Sequence, residues 1–129
     1  MILLDTNALL WVYRDSARLG PQSRALITAS DRTYFSSVSV MEIVIKAMLG
    51  RLEPPGDGDA TAAFTRSGLV ELPFTAPHAA AMAERPALAR HDPFDRMLLA
   101  QASEERMVLL TSDAVLLGLG EPGIRDAAL

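Results

Sequence analysis

Apolar and polar positions alternate along this chain in short blocks. Met1–Leu4 is an apolar run that stops at Asp5-Thr6-Asn7 and predicts a buried strand. Ala8–Tyr13 then reads as a mostly buried helix. Gly20-Pro21 breaks the chain, and Pro21 opens a second helix to Ala29. Thr33-Tyr34-Phe35 is β-favouring and predicts a second strand ending at Ser36-Ser37. Val38–Leu49 is the next helix, with Gly50 as its stop and Ser39 and Glu42 in the S-x-x-E capping-box spacing. Glu53–Asp59, EPPGDGD, is a loop. A short helix over Ala60–Ser67, a third strand over Leu69–Leu72 and an alanine-rich helix over Thr75–Glu84 follow, and Arg85–Arg90 connects.

The stretch His91–Ala102 gives the sharpest pattern. Asp-Pro is a strong helix start, which makes Asp92 the N-cap and Pro93 the first helical residue of a helix reaching about Glu105. Asp95, Leu98, Leu99 and Ala102 then share one face. A carboxylate sits at the edge of a core-facing apolar stripe, and an ionised carboxylate buried without partners is costly. Beyond it, Met107–Leu110 predicts a strand ending at Thr111-Ser112-Asp113, Ala114–Leu119 a short helix, Gly120–Gly123 a turn, and Ile124-Arg125 a last edge strand.

Short apolar strands alternating with helices predict an α/β fold with a central parallel sheet covered on both faces. Sites in such folds form beyond the carboxyl ends of the strands. That rule selects Asp5 after the first strand, Asp113 after the strand at Met107–Leu110, and Glu42 and Asp95, each read as lying in the first turn of its helix. Four acids on one edge repel one another and raise each other's pKa. A divalent cation resolves the conflict, and all-oxygen ligation suits Mg2+ or Mn2+. Such an ion acidifies a water and braces a phosphodiester oxygen. Helix N-termini around it favour phosphate. Taken singly, each acid also has a capping reading: Asp5 for the first helix, Glu42 with Ser39, Asp95 with Asp92, and Asp113 beside Thr111 and Ser112.

Other residues take supporting roles. Thr6 and Thr111 either orient ligands or cap. Asp92 is the N-cap. Lys46 either pairs with Glu42 at i,i+4 or contacts a scissile phosphate. Arg96 points away from the Asp95 stripe, as a surface or substrate-rim residue. His91 lies just outside the helix and is set aside as a base, and His78 is structural. Met41, Met48, Met82 and Met97 read as core fillers. Trp11 and Tyr13 pack in the core or at a dimer surface.

At 129 residues the chain is expected to be one domain, 1–129, and half its residues are hydrophobic, enough for a full core. It has no cysteine, so disulfides and thiolate metal sites are excluded. No apolar run approaches membrane-spanning length and no signal-peptide pattern opens the chain, so a soluble cytoplasmic protein is expected. The net charge of −4 argues against coating nucleic acid through the whole-molecule field. Action on nucleic acid then needs a bound cation and a local basic rim. Eleven of the twelve basic residues are arginine, with Lys46 the only lysine.

LLDTNALLW at Leu3–Trp11, SSVSVMEIVIKAMLGRL at Ser36–Leu52, HDPFDRMLLAQA at His91–Ala102 and LLTSDAVLL at Leu109–Leu117 together resemble PIN-domain proteins of the VapC toxin type. The resemblance runs across nearly the whole chain. It implies a Rossmann-like α/β/α fold and a Mg2+- or Mn2+-dependent endoribonuclease. It also implies a toxin held inactive by a cognate VapB-like antitoxin, and usually a homodimer. The family's acidic quartet falls on Asp5, Glu42, Asp95 and Asp113. Three departures stand outside the quartet: Asn7 where relatives often carry histidine, Arg90-His91 in place of the commoner reverse order, and Leu119 at an often aromatic place. Two other small α/β folds with aspartates and Mg2+ fit less well. A receiver domain needs an acidic pair after the first strand and a late lysine. A haloacid-dehalogenase-like phosphatase needs an aspartate where Asn7 stands. A catalytically silent binding partner of the same fold is the rival from another class.

Overall fold

The computed structural model describes residues 1–129. Its centre is a five-stranded sheet of β1 (Ile2–Leu4), β2 (Thr33–Ser36), β3 (Val70–Leu72), β4 (Val108–Thr111) and β5 (Ile124–Asp126), ordered β3-β2-β1-β4-β5. Every pair is parallel; Leu3 stands opposite Tyr34 on one side and Leu109 on the other. The helices are α1 (Thr6–Tyr13), α2 (Pro21–Ala29), α3 (Ser37–Met48), α4 (Ala60–Arg66), α5 (Ala76–Ala81), α6 (Pro93–Glu104) and α7 (Ala114–Leu117). None is long and apolar enough to cross a membrane.

The two-residue period of a strand explains the two cores. Ile2 and Leu4 point to one face and pack with Leu9, Leu10, Phe35, Phe64 and Leu110. Leu3 points to the other and packs with Leu98, Leu99, Leu109 and Leu116. A central strand covered on both faces must be apolar at every position, and Ile2–Leu4 is. Trp11 is half-buried against the first core, and Tyr13 meets Phe64 edge-on with ring centroids 5.6 Å apart. The chain turns from the β2/β3 half of the sheet to the β4/β5 half beside β1. The crevice at the carboxyl ends of β1 and β4 is thus the switch point at which doubly wound sheets bind ligands.

Helix boundaries follow capping chemistry, with two corrections. The α3 N-cap is Ser36, whose side chain accepts from the Val38 N–H, so Ser39 and Glu42 do not form a capping box. The helix begins earlier than the S-x-x-E spacing implies, and Glu42 lies in its second turn rather than its first. The alanine-rich helix is shorter than Thr75–Glu84: α5 ends at Ala81, and 3-10 turns cover Met82–Glu84 and Pro86–Leu88. Gly50 stops α3 as expected, with φ +70°. The core-filler reading fails for two methionines of α3: Met48 is 82% exposed and Met41 43%. They share the outer surface of α3 with the exposed Val44, Ile45 and Leu49. His78 is structural, as expected: its Nδ1 accepts from the Thr75 N–H and its Nε2 meets Glu105 at 2.8 Å.

Candidate metal centre

Asp5, Asp95 and Asp113 reach the crevice because a strand ends or a helix starts there, and Glu42 reaches it from the second turn of α3. Asp5 follows β1 and is the N-cap of α1. Its Oδ1 accepts from the Ala8 N–H at 2.7 Å, and its Oδ2 accepts from Thr111 Oγ1 at 2.6 Å and the Ser112 N–H at 3.1 Å. Burial pushes its carboxyl above the usual range, against these hydrogen bonds, and the Glu42 charge adds to the rise. Asp113 caps α7 through the Leu116 N–H. Asp5 and Asp113 therefore cap helices and face the crevice at once; the two readings are compatible.

Glu42 is buried on the inner face of α3. Its Oε1 accepts from Thr6 Oγ1 at 2.6 Å, and Thr6 also reaches Ser39 Oγ at 3.0 Å. Its Oε2 pairs with Lys46 Nζ at 2.5 Å in the i,i+4 arrangement. Thr6 and Thr111 thus each hold an acid by a short hydrogen bond across elements distant in sequence.

Asp95 differs from the other three. Asp92 alone caps α6, accepting from the Phe94 and Asp95 N–H groups. The Asp95 carboxylate has no capping task, and His91 Nε2 lies 3.5 Å from its Oδ2. Burial first, and then the charges of Asp113, Asp92, Asp5 and Glu42, push its carboxyl up to about 7. Such a group is half-protonated near neutrality unless a cation joins it.

The donors can accept that cation. A carboxylate offers about four lone-pair positions. Asp5 uses three on protein donors, Glu42 two and Asp113 one from the Leu116 N–H, so each retains at least one. Asp95 retains both of its oxygens for a cation. The residues present fit a hard divalent ion.

The structure also brings His91, which lies just outside α6, beside these acids. His91 Nε2 lies 3.0 Å from Asp113 Oδ2. His91, Asp95 and Asp113 each bring a donor atom into a group spanning no more than 4.8 Å, a group that does not include Asp5 or Glu42. Helical periodicity gave no signal for His91, because it precedes the Asp92 N-cap; the one hint was its closeness in sequence to Asp95. Arg96, by contrast, does not join the acids. It lines a small pocket with Met82, Arg85, Leu88, Leu99 and Ala100. Asn7 joins the rim through Ser112 Oγ at 3.2 Å.

A family model described as PIN domain matches residues 2–121. Comparison with individually curated proteins gives no significant match. Among solved structures, the chain is similar to a toxin–antitoxin complex from Klebsiella pneumoniae, with 20% identity, TM-score 0.65 and 98% of each chain covered. It is similar to VapBC-1 from nontypeable Haemophilus influenzae, with 15% identity, TM-score 0.66 and 100% of each chain covered. It is also similar to DNA-bound VapBC from Salmonella typhimurium, with 22% identity, TM-score 0.62 and 97% and 96% covered. At these identities the likeness is one of fold.

Proposed function

We propose that this chain, which belongs to the PIN-domain family, is a Mg2+- or Mn2+-dependent endoribonuclease and the toxin of a type II toxin–antitoxin pair. PIN domains act in general as nucleases. The observation that carries the reading is Asp95: a part-buried carboxylate, free of capping duty, facing Asp113, Asp5 and Glu42. A silent binding module of the same fold has no use for that repulsion.

In this reading Asp5, Glu42, Asp95 and Asp113 hold the ion. When bound, the cation draws charge from a phosphodiester oxygen and acidifies a water. The rest is the work of the chain. Thr111 and the Ser112 N–H fix the rotamer of Asp5, and Thr6 fixes that of Glu42. Lys46 is part-exposed at the rim, placed to meet a substrate phosphate. The N-termini of α1 and α6 present partial positive charge to the same crevice.

A VapB-like antitoxin and a second copy of the chain are the proposed partners. One structural neighbour is a toxin–antitoxin complex, and two others are VapBC assemblies. The apolar outer face of α3, with Met41, Val44, Ile45, Met48 and Leu49, supports a protein-covered surface. A cytoplasmic site of action goes with an RNA substrate.

The test is cleavage of a panel of structured RNAs and matched DNAs by the purified chain. RNA is expected to be cut with Mn2+, and to survive in EDTA or with the Asp95→Asn variant. Expression is expected to arrest growth, with rescue by a small neighbouring reading frame. Cleavage that persists in chelator overturns the metal reading, and cleavage of DNA alone overturns the substrate.

A further inference from the structure

We infer that His91 is a direct nitrogen ligand of the divalent cation, which makes the centre a mixed nitrogen–oxygen site that favours Mn2+ over Mg2+. The inference rests on the proposed metal centre and adds a residue to it.

The geometry comes first. Ligands at adjacent corners of an octahedron with bonds near 2.1 Å are separated by about 3.0 Å, which is 2.1 Å times the square root of two. His91 Nε2 is 3.0 Å from Asp113 Oδ2, the spacing of adjacent corners, and 3.5 Å from Asp95 Oδ2, slightly wider, and the three donor atoms all lie within 4.8 Å of one another. Asp5 and Glu42 have their carboxylates held by Ala8, Thr111, Thr6 and Lys46, and each keeps a lone pair for the same ion.

The backbone fixes the imidazole in place. The His91 N–H donates to Leu88 O at 2.9 Å in the 3-10 turn that leads into α6. Asp92 then caps the helix, leaving no freedom of register between His91 and Asp95. The order Arg90-His91 is what brings an imidazole, rather than a guanidinium, to the residue before the cap. The neutral tautomer with the proton on Nδ1 leaves the Nε2 lone pair free for the ion.

The consequence is selectivity. Imidazole is a borderline donor that strengthens binding along the series from Mn2+ onward, whereas Mg2+ prefers oxygen throughout. Purely carboxylate ligation leaves the two ions less distinguished.

The experiment is pulsed EPR of Mn2+ bound to the untagged chain in a buffer without amines, with calorimetric titrations of Mn2+ and Mg2+ alongside. The wild type is expected to show 14N modulation from a coordinated imidazole, absent in His91→Ala. The only other histidine, His78, is buried and paired with Glu105. His91→Ala is expected to lower Mn2+ affinity by roughly tenfold or more, the scale of a lost supporting contact, and Mg2+ affinity by less. His91→Gln can still donate to Asp113 and separates positioning from ligation. If it restores both affinities, or if bound Mn2+ carries no 14N coupling, His91 merely orients Asp113 and the inference falls while the acidic centre stands. If Mn2+ does not bind at all, the metal centre itself falls, and His91 with it.

Discussion

Replacing Asp95 by Asn should make the metal-free protein more stable while removing its metal site. A carboxyl held near 7 in the folded chain but near 3.8 when unfolded binds its proton more tightly in the fold. Below the unfolded value both states are protonated and Asp95 costs nothing. As pH rises from about 4 to 7 the folded state must either keep a proton the unfolded chain has released or bear the charge, and stability falls; above 7 the loss is complete. A shift of roughly three units corresponds to about 4 kcal/mol as an upper figure, at about 1.4 kcal/mol per unit. Side-chain relaxation reduces it, so a gain of about 2–4 kcal/mol for Asp95→Asn at pH 8 is expected. For a chain of this size that raises Tm by roughly 5–15 °C. The assay is thermal or urea unfolding of both proteins in EDTA from pH 4.5 to 8.5. The gap between variant and wild type should open with pH, narrowing to about 1 kcal/mol or less near pH 4.5 and closing below the unfolded value of 3.8. Adding Mn2+ at about a thousandfold excess over Kd should reverse the order, since only the wild type gains binding energy, about 4.1 kcal/mol. A variant less stable than wild type in EDTA at pH 8, or a gap independent of pH, refutes the reasoning.

Three further outcomes are expected. Thr6→Val removes the hydroxyl donating to buried Glu42 and should cost about 1–3 kcal/mol in urea unfolding while weakening Mn2+ binding; unchanged binding would remove Thr6 from the support of the centre. Gly20→Ala places a methyl group against the backbone carbonyl of Leu129, so the C-terminal segment should detach, read as loss of amide protection at Gly20 and Ser23, whose N–H groups bond Ala127 and Leu129. Met48→Glu, at the most exposed apolar side chain of α3, should leave the fold intact and shift any dimer toward monomer in sedimentation; an unchanged distribution would place the interface elsewhere.

The layered fold was legible because its signals are local and mutually consistent. Ile2–Leu4 is apolar at every position because it is covered on both faces, and Asp-Pro at Asp92-Pro93 starts α6 where expected. The inward face of Asp95 followed from the spacing of Leu98, Leu99 and Ala102 alone. What the sequence hid were choices among competing local partners. Ser36 and Ser39 are both able to cap α3, and only the end of β2 at Ser36 decides between them. The outer face of α3 is apolar at Met41, Val44 and Met48, and no periodicity tells a core stripe from an exposed apolar face. His91 was hidden for a related reason. A residue outside the helix has no helical face, and its direction is set by the 3-10 turn before it and by Asp113, 22 positions away.

The central claim is that Asp5, Glu42, Asp95 and Asp113 form one cation site. Calorimetric titration of the metal-free chain with Mn2+ tests it most directly, alongside Asp5→Asn and Asp95→Asn proteins shown to be folded. A saturable site in the wild type, lost or strongly weakened in both variants, is the predicted result. Binding that is absent from the wild type, or equally strong in both variants, contradicts the account.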